Sequence, residues 1–308
     1  MTAGGAGGVG GAVRVGVLGG ADIAWRRTLP ALTAEPGVRV VAVASRSGRR
    51  AARFAERFGC AAVTGYDALL ARDDIDAVYV PLPAGLLHRW TRAALDSGRH
   101  VLAEKPLGED GDQARDLVAC ANARGLVLME NVAFQLHPQH DVVRSLLAEG
   151  AVGEPREFRA VFGIPPLPGD DVRYRPDLGG GALLDLGFYP LRAARMFLGA
   201  GLEVAGARLR PGPSGVDVAG SALLAAPDGT TASVSFGFEH AYRSTYELWG
   251  SAGRVRAVRA FTPPPDHRPR ITVDGPGGRR VLEAPAADQF ALLAADFAAA
   301  VRTGRDLR

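Results

Sequence analysis

The sequence predicts an α/β chain of two domains. A doubly wound parallel sheet comes first, and an α+β domain with an open, mainly antiparallel sheet follows. Three observations predict it. Short apolar, β-rich runs alternate with helical patterns through the first 130 residues. A glycine pair closes the first of those runs and opens a helix. After Glu130 the order changes, and strand-like runs follow one another without helices between them. Strand–helix alternation builds parallel sheets covered on both faces, whereas uninterrupted strands build antiparallel ones.

The elements follow in order. Residues 1–12, MTAGGAGGVGGA, are rich in glycine and read as a flexible tail. They have neither a basic start nor an apolar core, so they are not expected to act as a signal peptide. Strands are predicted over Val13–Leu18, Val38–Ser45, Asp76–Leu82, His100–Lys105 and Gly125–Glu130. Their near-continuous Val and Ala content fits burial on both faces. Helices are predicted over Ala24–Ala34, Arg49–Phe58, Leu86–Asp96 and Gly111–Arg124. Beyond the boundary, helices are expected at Gln139–Glu149, Ala182–Phe197 and Asp288–Arg302, with a Pro/Gly-rich loop at Gly163–Gly181. Strands are expected at Val204–Leu209, Val216–Ala225, Thr231–Phe238, Ser244–Gly250, Arg254–Val258 and Arg270–Val273. The domains are therefore read as 13–130 and 131–308.

Composition narrows the function. At 47% hydrophobic and 22% charged residues the chain is an ordinary globular one. A net charge of +3 and the lack of a dense basic run with interleaved aromatics argue against nucleic acid. No apolar stretch reaches the roughly 18 residues of a membrane span. Cys60 and Cys120 lack metal-ligand spacing and read as reduced thiols. A cytoplasmic protein without a metal is expected.

The glycine turn has a chemical reading. Gly19-Gly20-Ala21-Asp22-Ile23-Ala24 has the spacing of the G-x-G-x-x-G fingerprint, with alanine at the second and third glycine positions. Small residues there let a pyrophosphate approach backbone N–H groups at a helix start. The same residues also suit a tight strand-to-helix turn without a ligand. At the end of the second strand, where NAD enzymes of the Rossmann type carry a carboxylate, the chain has Ser45 and Arg46, then Arg49 and Arg50. A hydroxyl and a guanidinium suit a 2′-phosphate, so NADPH is the expected cofactor.

Lys105 is the only lysine in the chain. It closes the His100–Lys105 strand, and the carboxyl ends of strands in an open parallel sheet form the ligand crevice. An ammonium there can give a proton to a carbonyl oxygen as it becomes an alkoxide. A surface lysine that merely closes a strand is the bland reading. Asp185 and Tyr189 lie four apart on a predicted helix and so share a face. The tyrosine can donate a proton and the aspartate can orient a hydroxyl; a buried tyrosine with a satisfied hydroxyl fits the spacing equally.

Together the glycine turn, AEKPL at 103–107 and GGGALLDLG at 179–187 resemble the glucose–fructose oxidoreductase/inositol dehydrogenase (Gfo/Idh/MocA) family, over essentially the whole chain from Val13. That family usually continues D-x-G-x-H, with a catalytic histidine where this chain has Tyr189. With that change, GVLGGADIAWRRTLPAL, VYVPLPAGLLHRWTRAAL and SFGFEHAYRSTYELWGS resemble its C-3 ketoreductases of antibiotic deoxysugar pathways. The resemblance implies NADPH and reduction at C-3 of a dTDP-linked 3,4-diketo-2,6-dideoxyhexose. It implies that Gly19, Gly20, Ala21, Asp22, Ile23, Ala24 and Trp25 wrap the pyrophosphate and that Ser45 and Arg46 take the 2′-phosphate. It sets Tyr66, Leu82, His88 and Glu104 beside the cofactor, Lys105 at the nicotinamide and Tyr189 in the acid position. Arg26 is a candidate for the anionic substrate, and Ile164, Asp177, Asp185 and Tyr242 complete the site from the second domain. A homo-oligomer follows by analogy. The rival readings are a free-sugar, inositol or trans-dihydrodiol dehydrogenase of the same family, and a non-catalytic NADP-binding regulator.

Overall fold

Val13, Val15 and Val17 have no exposed surface, because their strand runs through the centre of a sheet covered on both faces. The computed structural model describes residues 11–304, so most of the expected glycine-rich tail lies outside the described residues. The chain forms two compact units. One runs to Ala133 and resumes at Phe290; the other spans Phe134–Gln289.

The first unit contains β1 (Val13–Leu18), α1 (Leu29–Ala34), β2 (Val38–Ser45), α2 (Gly48–Phe58), β3 (Ala61–Thr64), α3 (Tyr66–Leu70), β4 (Ala77–Val80), α4 (Ala84–Asp96), β5 (His100–Ala103), α5 (Gly111–Arg124) and β6 (Leu128–Glu130). Its six strands lie in the order β3-β2-β1-β4-β5-β6, all parallel. That is the doubly wound order with its switch point between β1 and β4. Local chemistry sets the helix ends. Ser47 and Asp110 cap α2 and α5 by accepting from the backbone N–H groups of Arg50 and Gln113. Gly59 and Gly125 end the same helices in left-handed backbone, at φ 64° each. The short β3 and α3 escape the sequence reading, since four residues of mixed exposure carry little periodicity.

The second unit contains α6 (Gln139–Ala148), β7 (Pro155–Gly163), α7 (Phe188–Leu198), β8 (Glu203–Pro211), β9 (Asp217–Ala225), β10 (Thr231–Gly237), β11 (Arg243–Gly250), β12 (Arg254–Val258), β13 (Arg270–Gly275) and β14 (Gly278–Glu283). The eight strands lie in the order β14-β13-β12-β11-β7-β10-β9-β8. All pairings are antiparallel except β7 with β10. β7, absent from the sequence reading, sits near the middle; its Phe158, Ala160 and Phe162 face inward while Arg159 faces out.

Two expected helices differ in one shared respect. The helix at Ala24–Ala34 starts as a π-turn, Ala24–Thr28, before α1. The helix at Ala182–Phe197 starts as a π-turn, Leu183–Gly187, before α7. Each π-turn is followed within three residues by a proline, Pro30 or Pro190. A proline inside a helix offers no N–H and its ring crowds the carbonyl four residues back, so a wider turn relieves both conflicts.

The last helix, α8 (Gln289–Thr303), belongs with the first unit rather than with residues 131–288. Its Arg302 lies beside Gly37, where a Cβ would stand 2.5 Å from Nη1. Among the described residues no helix is long and apolar enough to cross a membrane.

In the core of the second unit, His140 is fully buried with Nδ1 2.9 Å from the Tyr246 hydroxyl. Burial pushes its pKa from the ordinary 6.5 down to about 3. Below about pH 6.5 the unfolded chain gains a proton that the folded one refuses, so stability falls with pH through that window. In urea titrations the unfolding free energy of the wild type should drop about 2 kcal/mol more between pH 7 and pH 5 than that of His140→Gln.

Candidate functional site

The site of the first unit gathers at the carboxyl ends of β1, β2, β4 and β5. Gly19 has φ +126°, and its N–H donates to the Ala44 carbonyl at 2.9 Å. A Cβ on Gly19 would lie 2.8 Å from Leu82 Cδ2 and 3.0 Å from the Pro81 carbonyl. Only glycine lets this turn lie so close to the end of β4. A Cβ on Gly20 would come within 2.9 Å of Arg50 Cδ and 3.1 Å of Phe54 Cε2, so its absence seats α2. Ala24, at the third glycine position, is fully buried inside the π-turn.

The residues after the turn divide by what they touch. The Trp25 ring packs on α2, edge-on to Phe54 at 4.9 Å, with the Arg53 and Arg57 guanidiniums 4.5 and 4.2 Å from its centre. Only its backbone is thus left for a pyrophosphate. Arg26 pairs with Asp22 one turn back, at 2.5 Å and in solvent. Ser45 is buried, and its Oγ accepts from the Ser47 N–H at 3.2 Å, which leaves its O–H to donate. Arg46 is exposed next to it and hydrogen-bonds the Tyr66 hydroxyl. Burial raises the Tyr66 pKa and the Arg46 charge opposes it. From Ser45 to Arg50 there is no carboxylate. The donors therefore fit a 2′-phosphate and would leave a ribose diol without its usual acceptor. Tyr66 packs edge-on against Trp90, and His88 Nε2 lies 2.8 Å from Asp116 on α5.

Lys105 is half-buried just past β5, and the peptide that joins it to Pro106 is cis. Glu104 before it is buried. Its Oε1 accepts from the Tyr79 hydroxyl at 2.6 Å and from Asn131 Nδ2 at 2.7 Å. Asn131 Nδ2 also lies 3.5 Å from Thr28 Oγ1 in the π-turn. Burial raises the Glu104 carboxyl, while Tyr79, Lys105 and Asn131 hold it down. Burial likewise pushes the Tyr79 hydroxyl well up.

In the second unit, Asp185 sits in the second π-turn and Arg173 donates to it at 2.6 Å. Asp185 first, despite burial, keeps the Arg173 guanidinium charged. Asp217 accepts from the Leu183 N–H at 2.7 Å and so closes the start of that turn. The Tyr189 ring lies among Phe134, Phe162, Phe188 and Phe261, at centroid distances of 5.1–6.0 Å. Ile164 extends β7, its N–H on the Gly237 carbonyl and its carbonyl under the His240 N–H. Asp177 is exposed and pairs with Arg175 at 2.5 Å. Tyr242 is not among the rings around Tyr189; it is 45% exposed with the Arg259 guanidinium over its face.

Residues 13–132 match the family model described as "Oxidoreductase family, NAD-binding Rossmann fold", and residues 140–256 match the GFO/IDH/MocA C-terminal domain. The chain belongs to the Gfo/Idh/MocA oxidoreductase family. Within it, the chain is 56% identical over 293 residues to the dTDP-3,4-didehydro-2,6-dideoxy-alpha-D-glucose 3-reductase of Streptomyces antibioticus, covering 95% of this chain and 89% of that one. It is 54% identical to the enzyme of the same name from Actinomadura kijaniata, covering 96% and 90%. A solved 3-ketoreductase from Actinomadura kijaniata, in complex with NADP and TDP-benzene, superposes with a TM-score of 0.95 at 54% identity, covering 96% and 92%.

The sequence reading of this family member missed Thr28, Tyr79, Asn131, Arg173 and Asp217. For Asn131 the one available signal is a polar residue just past a strand, β6; Thr28 and Tyr79 carry none. Tyr79→Phe removes a hydroxyl from a buried carboxylate. It should lower the unfolding free energy by about 1–3 kcal/mol in urea titrations.

Proposed function

We propose that the protein is an NADPH-dependent reductase of the C-3 ketone of a dTDP-linked 3,4-diketo-2,6-dideoxyhexose, in deoxysugar biosynthesis for antibiotic glycosylation. One observation carries the reading: the single lysine of the chain lies just past β5 beside a buried carboxylate, and a tyrosine stands where the family usually has histidine. The Actinomadura kijaniata 3-ketoreductase has also been solved with one lysine replaced by alanine or glutamate and with one tyrosine replaced by phenylalanine. Those two positions are as far apart in that chain as Lys105 and Tyr189 are in this one.

The chemistry divides among the residues. Bound nicotinamide supplies a hydride to C-3. The Gly19–Ala21 turn receives the pyrophosphate, and the Ser45 hydroxyl and Arg46 guanidinium hold the 2′-phosphate. Lys105 or Tyr189 gives a proton to the C-3 oxygen as it gains negative charge. Asp185, fixed by Arg173, orients a sugar hydroxyl. Tyr66, Leu82, His88, Ile164 and Asp177 line the cofactor in the same reading, and Arg26 meets the substrate's negative charge. A homo-oligomer belongs to the proposal as well: Leu223 and Trp249 stand exposed on strands of the eight-stranded sheet.

Lys105→Ala and Tyr189→Phe should each lower kcat with the keto sugar by roughly 10²- to 10⁴-fold. Full turnover in both variants would remove the proton-donor roles. Arg46→Ala should raise KM for NADPH at least about tenfold and leave KM for NADH unchanged, since one charge-assisted contact is lost. Equal use of both cofactors by the wild type would contradict the role of Ser45 and Arg46.

A further inference from the structure

Phe261 is the hub of the aromatic cage around Tyr189. Its ring lies 5.5 Å from Phe134, 5.3 Å from Phe162 and 5.8 Å from Tyr189, centre to centre. Phe134 and Phe162 each touch Tyr189 as well, at 5.5 and 5.1 Å. Aromatic contacts favour particular angles, and close packing passes a shift of one ring to the next. The direction of the tyrosine ring therefore follows the placing of Phe261.

The backbone under that ring is held on every side. Ala260 and Phe261 are fully buried, and their N–H groups donate at 3.1 Å to the Ser244 carbonyl and to Ser244 Oγ. Their carbonyls accept from two glutamines, Gln139 Nε2 on Ala260 at 3.1 Å and Gln289 Nε2 on Phe261 at 3.3 Å. All four polar groups of two consecutive residues are paired, three of them by side chains. Arg259, just before them, has φ 51°, and among the described residues every other positive-φ position is glycine. Left-handed backbone strains a long side chain, and such strain persists where its surroundings over-determine it. The glutamines come from opposite ends of the second unit. Gln139 opens α6 and has no exposed surface; Gln289, 5% exposed, is the last residue of the unit. Phe134, the first residue of the unit, meets the same Phe261 ring.

We infer that Gln139 and Gln289 are positioning residues for the reduction. By fixing the carbonyls of Ala260 and Phe261 they hold the Phe261 ring, and that ring sets the direction of the Tyr189 hydroxyl. The inference rests on the proton-donor role proposed above for Tyr189. A donor misplaced by about 1 Å can cost roughly 10²-fold in rate, so a turn far from the sugar can govern kcat.

A double-mutant cycle on kcat, with NADPH and the keto sugar, tests it. Gln139→Met and Gln289→Met keep the length of the side chain and lose the donor. Each should lower kcat by roughly 10- to 10²-fold and leave KM for NADPH within about twofold of wild type. In a Tyr189→Phe background neither should lower kcat by more than about a further twofold, because the group they place is gone. The two positions are separate variants, so one that fails to fold leaves the other to decide. Losses that multiply, or glutamine variants at the wild-type kcat, overturn the inference and leave the proposed function standing. Tyr189→Phe at the wild-type kcat removes the role of the tyrosine and the inference with it. A second readout needs no substrate. In NADP⁺-loaded enzyme carrying 3-fluorotyrosine, the fluorine NMR signal missing from Tyr189→Phe belongs to Tyr189. That signal should shift or broaden in both glutamine variants, while those of Tyr66 and Tyr79, in the first unit, stay in place. An unmoved Tyr189 signal overturns the inference. A wild type that ignores the keto sugar while the Tyr189 signal moves would overturn the proposed function and keep the placement of Tyr189 by the glutamines.

Discussion

The first unit depends on one buried carboxylate. Glu104 cannot stay in an apolar interior unless donors replace water, and it has them in the Tyr79 hydroxyl and the Asn131 amide. Those donors come from different elements. Tyr79 is on β4, Asn131 follows β6, and Asn131 in turn reaches Thr28 in the first π-turn. One hydrogen-bonded group thus ties together the carboxyl ends of three adjacent strands and the helix that follows the glycine turn. Burial pulls the carboxyl toward its neutral form, and the neighbouring Lys105 ammonium opposes that pull. Lys105 therefore follows β5 on a hydrogen-bonded platform rather than a loose strand end, which suits the proton-donor role proposed for it.

The two π-turns carry the same logic into both units. Each opens a helix that follows a glycine-rich turn, and each is followed by a proline that an α-turn would crowd. The first carries Ala24 and Thr28. The second carries Asp185, which Arg173 holds, and Gly187, where a Cβ would press on the Phe236 ring at 3.0 Å. Such wide turns recur at functional sites because they turn side chains out of the regular helical register.

Much of this was legible in the sequence. The parallel order, the glycine turn, the absent carboxylate after β2 and the solitary lysine are local signals with local causes. What escaped was of another kind. β7 begins with proline and charged residues, which mask its Phe158-x-Ala160-x-Phe162 alternation. The placement of α8 with the first unit depends on contacts such as Arg302 beside Gly37, which no period encodes. Trp25 reads as part of the nucleotide loop, yet its ring is claimed by Phe54, Arg53 and Arg57. Asp185 and Tyr189 read as one helix face, but the π-turn changes their angular relation and Arg173 takes the aspartate. The network around Glu104 joins residues up to 103 positions apart, so only the folded chain displays it.

The central claim concerns which carbonyl is reduced, and product analysis with enzymatically prepared dTDP-3,4-diketo-2,6-dideoxyglucose and NADPH measures it most directly. The account predicts one NADPH consumed per sugar and a product with a hydroxyl at C-3 and the ketone retained at C-4. A product reduced at C-4, or no NADPH consumption with that sugar, would contradict it.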